Sequence, residues 1–174
     1  QRVQQESVLA QSRERLRQAL QYQEAVFSNI GEGLYTVNRQ GLVVSMNPAA
    51  ERLFGWTKDE LVGRNMHEVT HYKHPDGRPF PAEDCAGLQV LLTGVSLVNR
   101  EDVFIRKDGN FFQVVYSASP IRSGDEITGL VVVFRDVTEQ RRAEATLKDR
   151  DRALTAANDE LNQQAGGRRG ADFD

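Results

Sequence analysis

The segment VFSNIGEGLYTVNRQGLVVSMNPAAERLFGWTKDELV, residues 26 to 62, constrains the fold more than any other stretch of the chain. Val26, Phe27 and Ile30 form an apolar helix end. Leu34 to Val37 reads as a short strand, Asn38-Arg39-Gln40-Gly41 as a turn, and Leu42 to Met46 as a second strand. Two strands joined by so short a turn must pair antiparallel. Asn47-Pro48 then opens a helix. Asn is a preferred N-cap, and Pro suits the first helical position because its missing N–H would have no partner there anyway. Leu53, Phe54 and Trp56 give that helix and its exit a bulky apolar face.

Three later segments alternate like strands: Val95 to Arg106, Phe111 to Ile121 and Ile127 to Arg135. The first two are joined through Arg106-Lys107-Asp108-Gly109-Asn110, where Asp-Gly is a strong hairpin signal. The last two are joined through Ser123-Gly124-Asp125-Glu126. The expected class is α+β, a five-stranded antiparallel sheet with helices on one face.

The strand–turn–strand–Asn-Pro–helix order resembles the start of a PAS domain, the sensor module of bacterial signalling proteins such as sensor histidine kinases. Asp136-Val137-Thr138-Glu139 resembles the Asp-x-Thr-Glu element that ends the last PAS strand. The resemblance covers residues 26 to 139 and implies the order of the strands in space. It also implies a small-molecule space between sheet and helices. The candidates to line it are Tyr35, Val37, Met46, Leu53, Phe54, Trp56, Phe104, Val115, Tyr116 and Val132. Ordinary core packing is the plainer reading of each, since buried apolar side chains need no ligand to explain them.

Gly63-Arg64-Asn65 is similar to the flavin-binding blue-light subclass, but Met66 stands where that subclass has its adduct-forming cysteine. A thioether cannot form the flavin–cysteinyl adduct. The haem subclass ligates iron through a histidine on a later helix, and here no histidine follows His74. The cofactor is unknown from sequence. A transition metal or haem is the first expectation, flavin without the adduct the second.

Composition divides the chain of 174 residues. Residues 1 to 25 and 139 to 164 contain helix formers without Pro or Gly, while all five prolines lie between them. The expected organisation is a linker helix at 1–25, a PAS domain at 26–136, a signalling helix at 137–164 and a disordered tail at 165–174, where Gly166-Gly167 is expected to stop the helix. Leu9, Leu16, Val26 and Ile30 fall on a heptad seam in the first flank. Leu147, Leu154 and Leu161 do so in the second, with polar Glu144, Asp151 and Asn158 at the companion position. So diluted a seam suits a homodimeric coiled coil that can switch between packings. The alternative is that each helix folds back on its own domain.

A net charge of −3 argues against a nucleic-acid partner, which usually needs a basic face. No apolar run approaches the roughly 20 residues of a membrane helix. With a single cysteine and no apolar signal core, the expected location is cytoplasmic.

All three histidines, His67, His71 and His74, precede the only cysteine, Cys85, in one short stretch. On a helix over 64–72, His67 and His71 at i and i+4 share a face. Pro75-Asp76-Gly77 is a turn, and Ala82-Glu83-Asp84 is the acidic start of a helix reaching about Leu92. Imidazole and thiolate are preferred ligands of zinc and iron, so the four residues are a candidate metal site. A solvated loop with a buried structural cysteine is the alternative. Cys85 with a histidine and Glu83 or Asp84 would be a thiol nucleophile set, but the adjacent carboxylates oppose thiolate formation. No phosphate loop, nucleophile elbow or carboxylate pair accompanies it, and the chain is not expected to be an enzyme.

The functional expectation is a sensory and dimerisation module. It relays a ligand, metal or redox signal through the flanking helices to an output domain such as a histidine kinase. Asp136, Thr138 and Glu139 join the last strand to the exit helix, with Asp136 or Thr138 as its cap. The rival expectations are a ligand-free dimerisation spacer and a haem- or metal-binding sensor using the cluster.

Overall fold

The computed structural model describes residues 2–169, and the side chains of 4, 5 and 7–164. Two compact units divide after Asp136. The first begins with helix α1 (Arg2–Asn29), which runs past the expected boundary at residue 25. Ile30 N–H still donates to Val26 at 3.2 Å, and Gly31 follows.

The sheet comprises β1 (Gly33–Asn38), β2 (Val43–Met46), β3 (Leu97–Ile105), β4 (Phe111–Ser123) and β5 (Glu126–Asp136). Its order in space is β2-β1-β5-β4-β3, with each neighbouring pair antiparallel. Between β2 and β3 lie α2 (Pro48–Phe54), α3 (Lys58–Leu61), α4 (Met66–Thr70), a 3-10 turn (Ala82–Asp84) and α5 (Ala86–Thr93).

Alternation along the strands sorts the side chains by face. Tyr35 and Val37 of β1, Phe112, Val114 and Tyr116 of β4, and Leu130, Val132 and Phe134 of β5 are buried. Val115 therefore does not join them: a two-residue period turns it to the other face, where it is only half-buried. Gly33 permits a close approach, since a Cβ there would lie 2.3 Å from the Phe134 ring. The Asp108-Gly109 hairpin forms as expected, with Gly109 at φ 83° and Arg106 N–H donating to Asn110 at 2.9 Å.

Asn47 fixes the helical layer to the sheet. It is completely buried, and its Oδ1 accepts from Leu34 N–H and from Ala50 N–H, both at 2.9 Å. Its Nδ2 donates to the Glu32 carbonyl at 3.0 Å. One side chain thus caps α2 and anchors the start of β1. Two turns later α2 delivers Phe54, fully buried among Tyr35, Phe104, Phe112 and Phe134, with ring centroids 4.7 to 6.1 Å away. Leu53 and Trp56 pack at the edge of this cluster, and Met46 lies within it.

The bulge in β3 falls between Leu97 and Arg100. There Asn99 adopts φ 50° and its N–H donates to Ser117 Oγ at 3.1 Å.

The second unit is α6, Thr138–Arg169. It continues through Gly166 and Gly167, past the stop expected at 164. A helical glycine costs about 1 kcal/mol, an expense that neighbouring helix formers can offset, whereas proline would break the helix. Residues 170–174 of the expected tail lie outside the described residues. Among the described residues, no helix is long and apolar enough to cross a membrane.

Asn47→Ala removes a cap and leaves the Leu34 and Ala50 N–H groups and the Glu32 carbonyl without that partner, so it should cost about 2–4 kcal/mol in urea unfolding. Exposed Asn110→Ala should stay within about 0.5 kcal/mol. Equal losses for the two would show that Asn47 holds nothing in particular.

Candidate functional site

Helix α4 begins at Asn65, whose Oδ1 accepts from His67 N–H at 3.0 Å and Glu68 N–H at 3.3 Å. The helix lasts little more than a turn, and His71 is its C-cap, with its N–H donating to the His67 carbonyl at 3.0 Å. His67 and His71 consequently face the same way, with ring centroids 5.5 Å apart. The chain then turns through Pro75-Asp76-Gly77 and returns to Phe80, whose N–H donates to the Tyr72 carbonyl at 2.9 Å. Phe80 packs against His71 at 4.5 Å and His74 at 4.8 Å between centroids. Its carbonyl lies 2.8 Å from His67 Nε2.

The single helix expected from Ala82 to about Leu92 is two pieces. Cys85, at φ −73° and ψ 109°, leaves helical geometry and separates the 3-10 turn from α5. Glu83 and Asp84 are therefore carried into solvent, while Cys85 is buried. Its Sγ lies 3.5 Å from His71 Nδ1, and His71 Nε2 lies 3.1 Å from Asp102 Oδ1 on β3. The carboxylate of this row is thus Asp102, not Glu83 or Asp84.

His67, His71 and Cys85 each place one potential ligand atom within 4.8 Å of the others, and all three residues are buried. His74 does not join them, being held on the outer side of Phe80 with its N–H donating to the Arg78 carbonyl. Sequence reasoning missed Asp102 and Phe80. Asp102 was discoverable, because it lies two residues before Phe104 and the strand period turns both inward. Nothing local distinguished Phe80, which reaches the site through the fold of residues 72–80.

The cluster borders a cavity of ≈ 30 Å³ lined also by Tyr35, Val37, Met66, Phe104, Tyr116, Leu130 and Val132. Tyr35, Val37, Phe104, Tyr116 and Val132 stand where the sequence puts pocket residues. Met46, Leu53, Phe54, Trp56 and Val115 do not line it. This volume admits a water or an ion, and falls far short of the roughly 300 Å³ or more of sites for drug-sized ligands. Haem or flavin does not fit it.

Burial opposes the charge on Cys85, but the neighbouring His67 and His71 imidazoles and the Leu88 N–H of the first turn of α5 outweigh it. The thiol is lowered to about 6. Burial likewise opposes the charge on His71, and its hydrogen bonds to Asp102 and Cys85 prevail, raising it to about 9. Burial also works against the Asp102 carboxylate, yet His71 leaves it lowered overall. Both shifts favour the thiolate–imidazolium form of the pair. Burial pushes the Tyr35 and Tyr116 phenols up, so both stay neutral.

Arg106 organises the other end of the sheet. Its guanidinium donates to the Leu53 carbonyl and to Asp136 Oδ2, and lies 4.0 Å above the Phe112 ring. Asp136 is the last residue of β5, and α6 opens at Thr138, followed by exposed Glu139. Along the helices, Leu9, Leu16, Val26, Leu147, Leu154 and Leu161 are exposed and Ile30 is half-buried.

A family model described as the PAS fold matches residues 21–137. The chain is 30% identical over 115 residues to "Probable diguanylate cyclase DgcE" of Escherichia coli (strain K12), covering 66% of this chain and 10% of that protein. It is 27% identical over 143 residues to the signal transduction histidine-protein kinase AtoS of the same organism, covering 80% of this chain and 22% of that protein. It thus spans less than a quarter of either relative. A PAS domain crystal structure from Colwellia psychrerythraea superposes with TM-score 0.59 at 16% identity, covering 70% of this chain and 98% of that one.

In chelator-treated protein, the thiolate absorbance of Cys85 should titrate near pH 6 and move upward in Asp102→Asn. The opposite shifts have a further consequence. The His71 contribution to stability is complete below pH 6.5 and fades as pH rises through about 9. That of Cys85 is complete above 9 and fades as pH falls through about 6. Between these limits folded and unfolded chains bind equal numbers of protons at the pair, which should leave stability flat there. A thiolate titration midpoint near the ordinary thiol value would refute the ion pair.

Proposed function

The chain belongs to the PAS fold family, and from that premise we propose that it is a sensory and dimerisation module reading the state of the His71–Cys85 cavity for an output domain. The observation that carries this reading is the course of β5. Leu130 and Val132 wall the cavity, and the same strand ends at Asp136, gripped by Arg106, before the chain enters α6. A displacement in the cavity has a stiff route to the helix start. The apolar residues left exposed at heptad spacing on α1 and α6 support a second copy of the chain as their cover.

The output is an enzyme outside these residues, and a histidine kinase is the reading favoured by the sensor kinases among the relatives, in a cytoplasmic setting. A plain dimerisation spacer would not need the cluster. Keeping an ion pair in an apolar core is costly unless well compensated, and a well-packed apolar trio would often serve stability better.

Two measurements test the proposal. Sedimentation should report a dimer that weakens when residues 1–25 are removed; a monomer at high concentration, with or without them, would sink the dimeric relay. When α6 is joined in register to a histidine kinase, Cys85→Ser should change kinase activity, and Asp136→Ala should blunt that change. A shift of about 1 kcal/mol at this joint is comparable to ordinary coupling energies of 1–3 kcal/mol. Kinase activity indifferent to both substitutions would exclude the cavity as the sensor.

A further inference from the structure

The two buried histidines share an arrangement that a core ion pair alone does not require. Each imidazole has one nitrogen fixed from outside by an oxygen: His67 Nε2 by the Phe80 carbonyl at 2.8 Å, and His71 Nε2 by the Asp102 carboxylate at 3.1 Å. Each then has its Nδ1 left over. That of His71 points at Cys85 Sγ, 3.5 Å away. That of His67 is buried without a hydrogen-bond partner, which ordinarily costs free energy and calls for an explanation.

An imidazole with its outer nitrogen held by a carbonyl or carboxylate and its inner nitrogen free is the arrangement that orients metal-ligating histidines. The Cys85 Sγ–His71 Nδ1 distance of 3.5 Å is that of two ligands on one ion, and a ligand atom of His67 lies within 4.8 Å of both. In a tetrahedral zinc site, Zn–N near 2.0–2.1 Å and Zn–S near 2.3 Å put nitrogen and sulfur about 3.5 Å apart. The cavity of ≈ 30 Å³ alongside leaves space for about one water-sized ligand.

We propose that His67 Nδ1, His71 Nδ1 and Cys85 Sγ bind one divalent transition-metal ion of the zinc class, with a fourth position open to the cavity. His74 has no part in it, and Asp102 and Phe80 act as positioning residues. Three ligands come from two separately anchored segments, α4 and the start of α5, so the ion crosslinks the two pieces that cover the sheet. The inference deepens the sensory reading by naming what the cavity holds, and rests on that reading only for its effect on output.

Cobalt(II) added to the reduced, chelator-stripped chain should bind at one equivalent. It should give the ligand-field spectrum of a four-coordinate ion and a thiolate-to-cobalt charge-transfer band. Cys85→Ser should abolish that band. His67→Gln and His71→Gln should each weaken binding at least about 100-fold, and Asp102→Asn about 10- to 100-fold while keeping the band at saturating cobalt. His74→Gln should behave as the unaltered chain. Circular dichroism checks that each variant folds. Should Cys85→Ser fail to fold, protection of Cys85 in the unaltered chain from alkylation by one equivalent of zinc decides the same point.

Cobalt without the charge-transfer band, or binding that survives Cys85→Ser and His71→Gln unchanged, would overturn the site. Zinc bound at the site with no effect on a fused kinase would leave the site standing and count against the sensory reading. Kinase regulation that needs Cys85 in a chain that takes up no metal would do the reverse.

Discussion

Asn47 is the joint on which this fold depends. Its side chain offers two lone pairs and two N–H groups at a fully buried position, and three of the four meet backbone partners on either side of it. Remove those bonds and α2 loses both its cap and its attachment to β1. Phe54 sits two turns down that helix, at the centre of five aromatic rings, so the register of the whole apolar core follows from where Asn47 is pinned. The polar contact selects the arrangement, and the apolar burial, worth about 1.5–3 kcal/mol for each large side chain, stabilises it.

Much of this could be read from the residues. The strand–turn–strand–Asn-Pro–helix order, the Asp-Gly hairpin and the terminal Asp-x-Thr-Glu element each carry local signals, and local signals survive in a sequence. Failures arose where the deciding contact was distant or the local preference weak. Val115 is apolar like its neighbours, but Val114 and Tyr116 occupy the inward phase of the strand and leave it on the other face. Cys85 breaks the helix that Ala82 to Asp84 begins on composition, because its extended backbone turns the sulfur to His71. Gly166 and Gly167 weaken a helix without ending it. Phe80 and Asp102 meet the histidines only once residues 72–80 and β3 are folded.

The electrostatics of the core follow from the same long-range assembly. Cys85 by itself would be a small hydrophobe, and His71 by itself a neutral ring. Brought together with Asp102 they become a row of alternating charges that burial disfavours and mutual hydrogen bonding sustains. Arg106 solves a comparable problem at the far end of the sheet by facing a carbonyl, a carboxylate and an aromatic ring at once. Both devices hold charge at places where two elements of the domain meet.

The bulge of β3 bears on how copies of this protein avoid one another. A sheet with two free edges is a template for adding foreign strands and, in the limit, for fibrils. The β2 edge is already occupied, since Val43 N–H donates to the Arg64 carbonyl and the Val43 carbonyl accepts from Gly63 N–H. The β3 edge carries exposed Val95 and Val98 beside it, an apolar invitation to aggregate. Asn99, thrown to positive φ, interrupts the ladder just after Val98, and exposed Arg100 and Glu101 continue the edge as charge. A kinked, charged border accepts a neighbouring strand poorly, which protects this sheet at high local concentration.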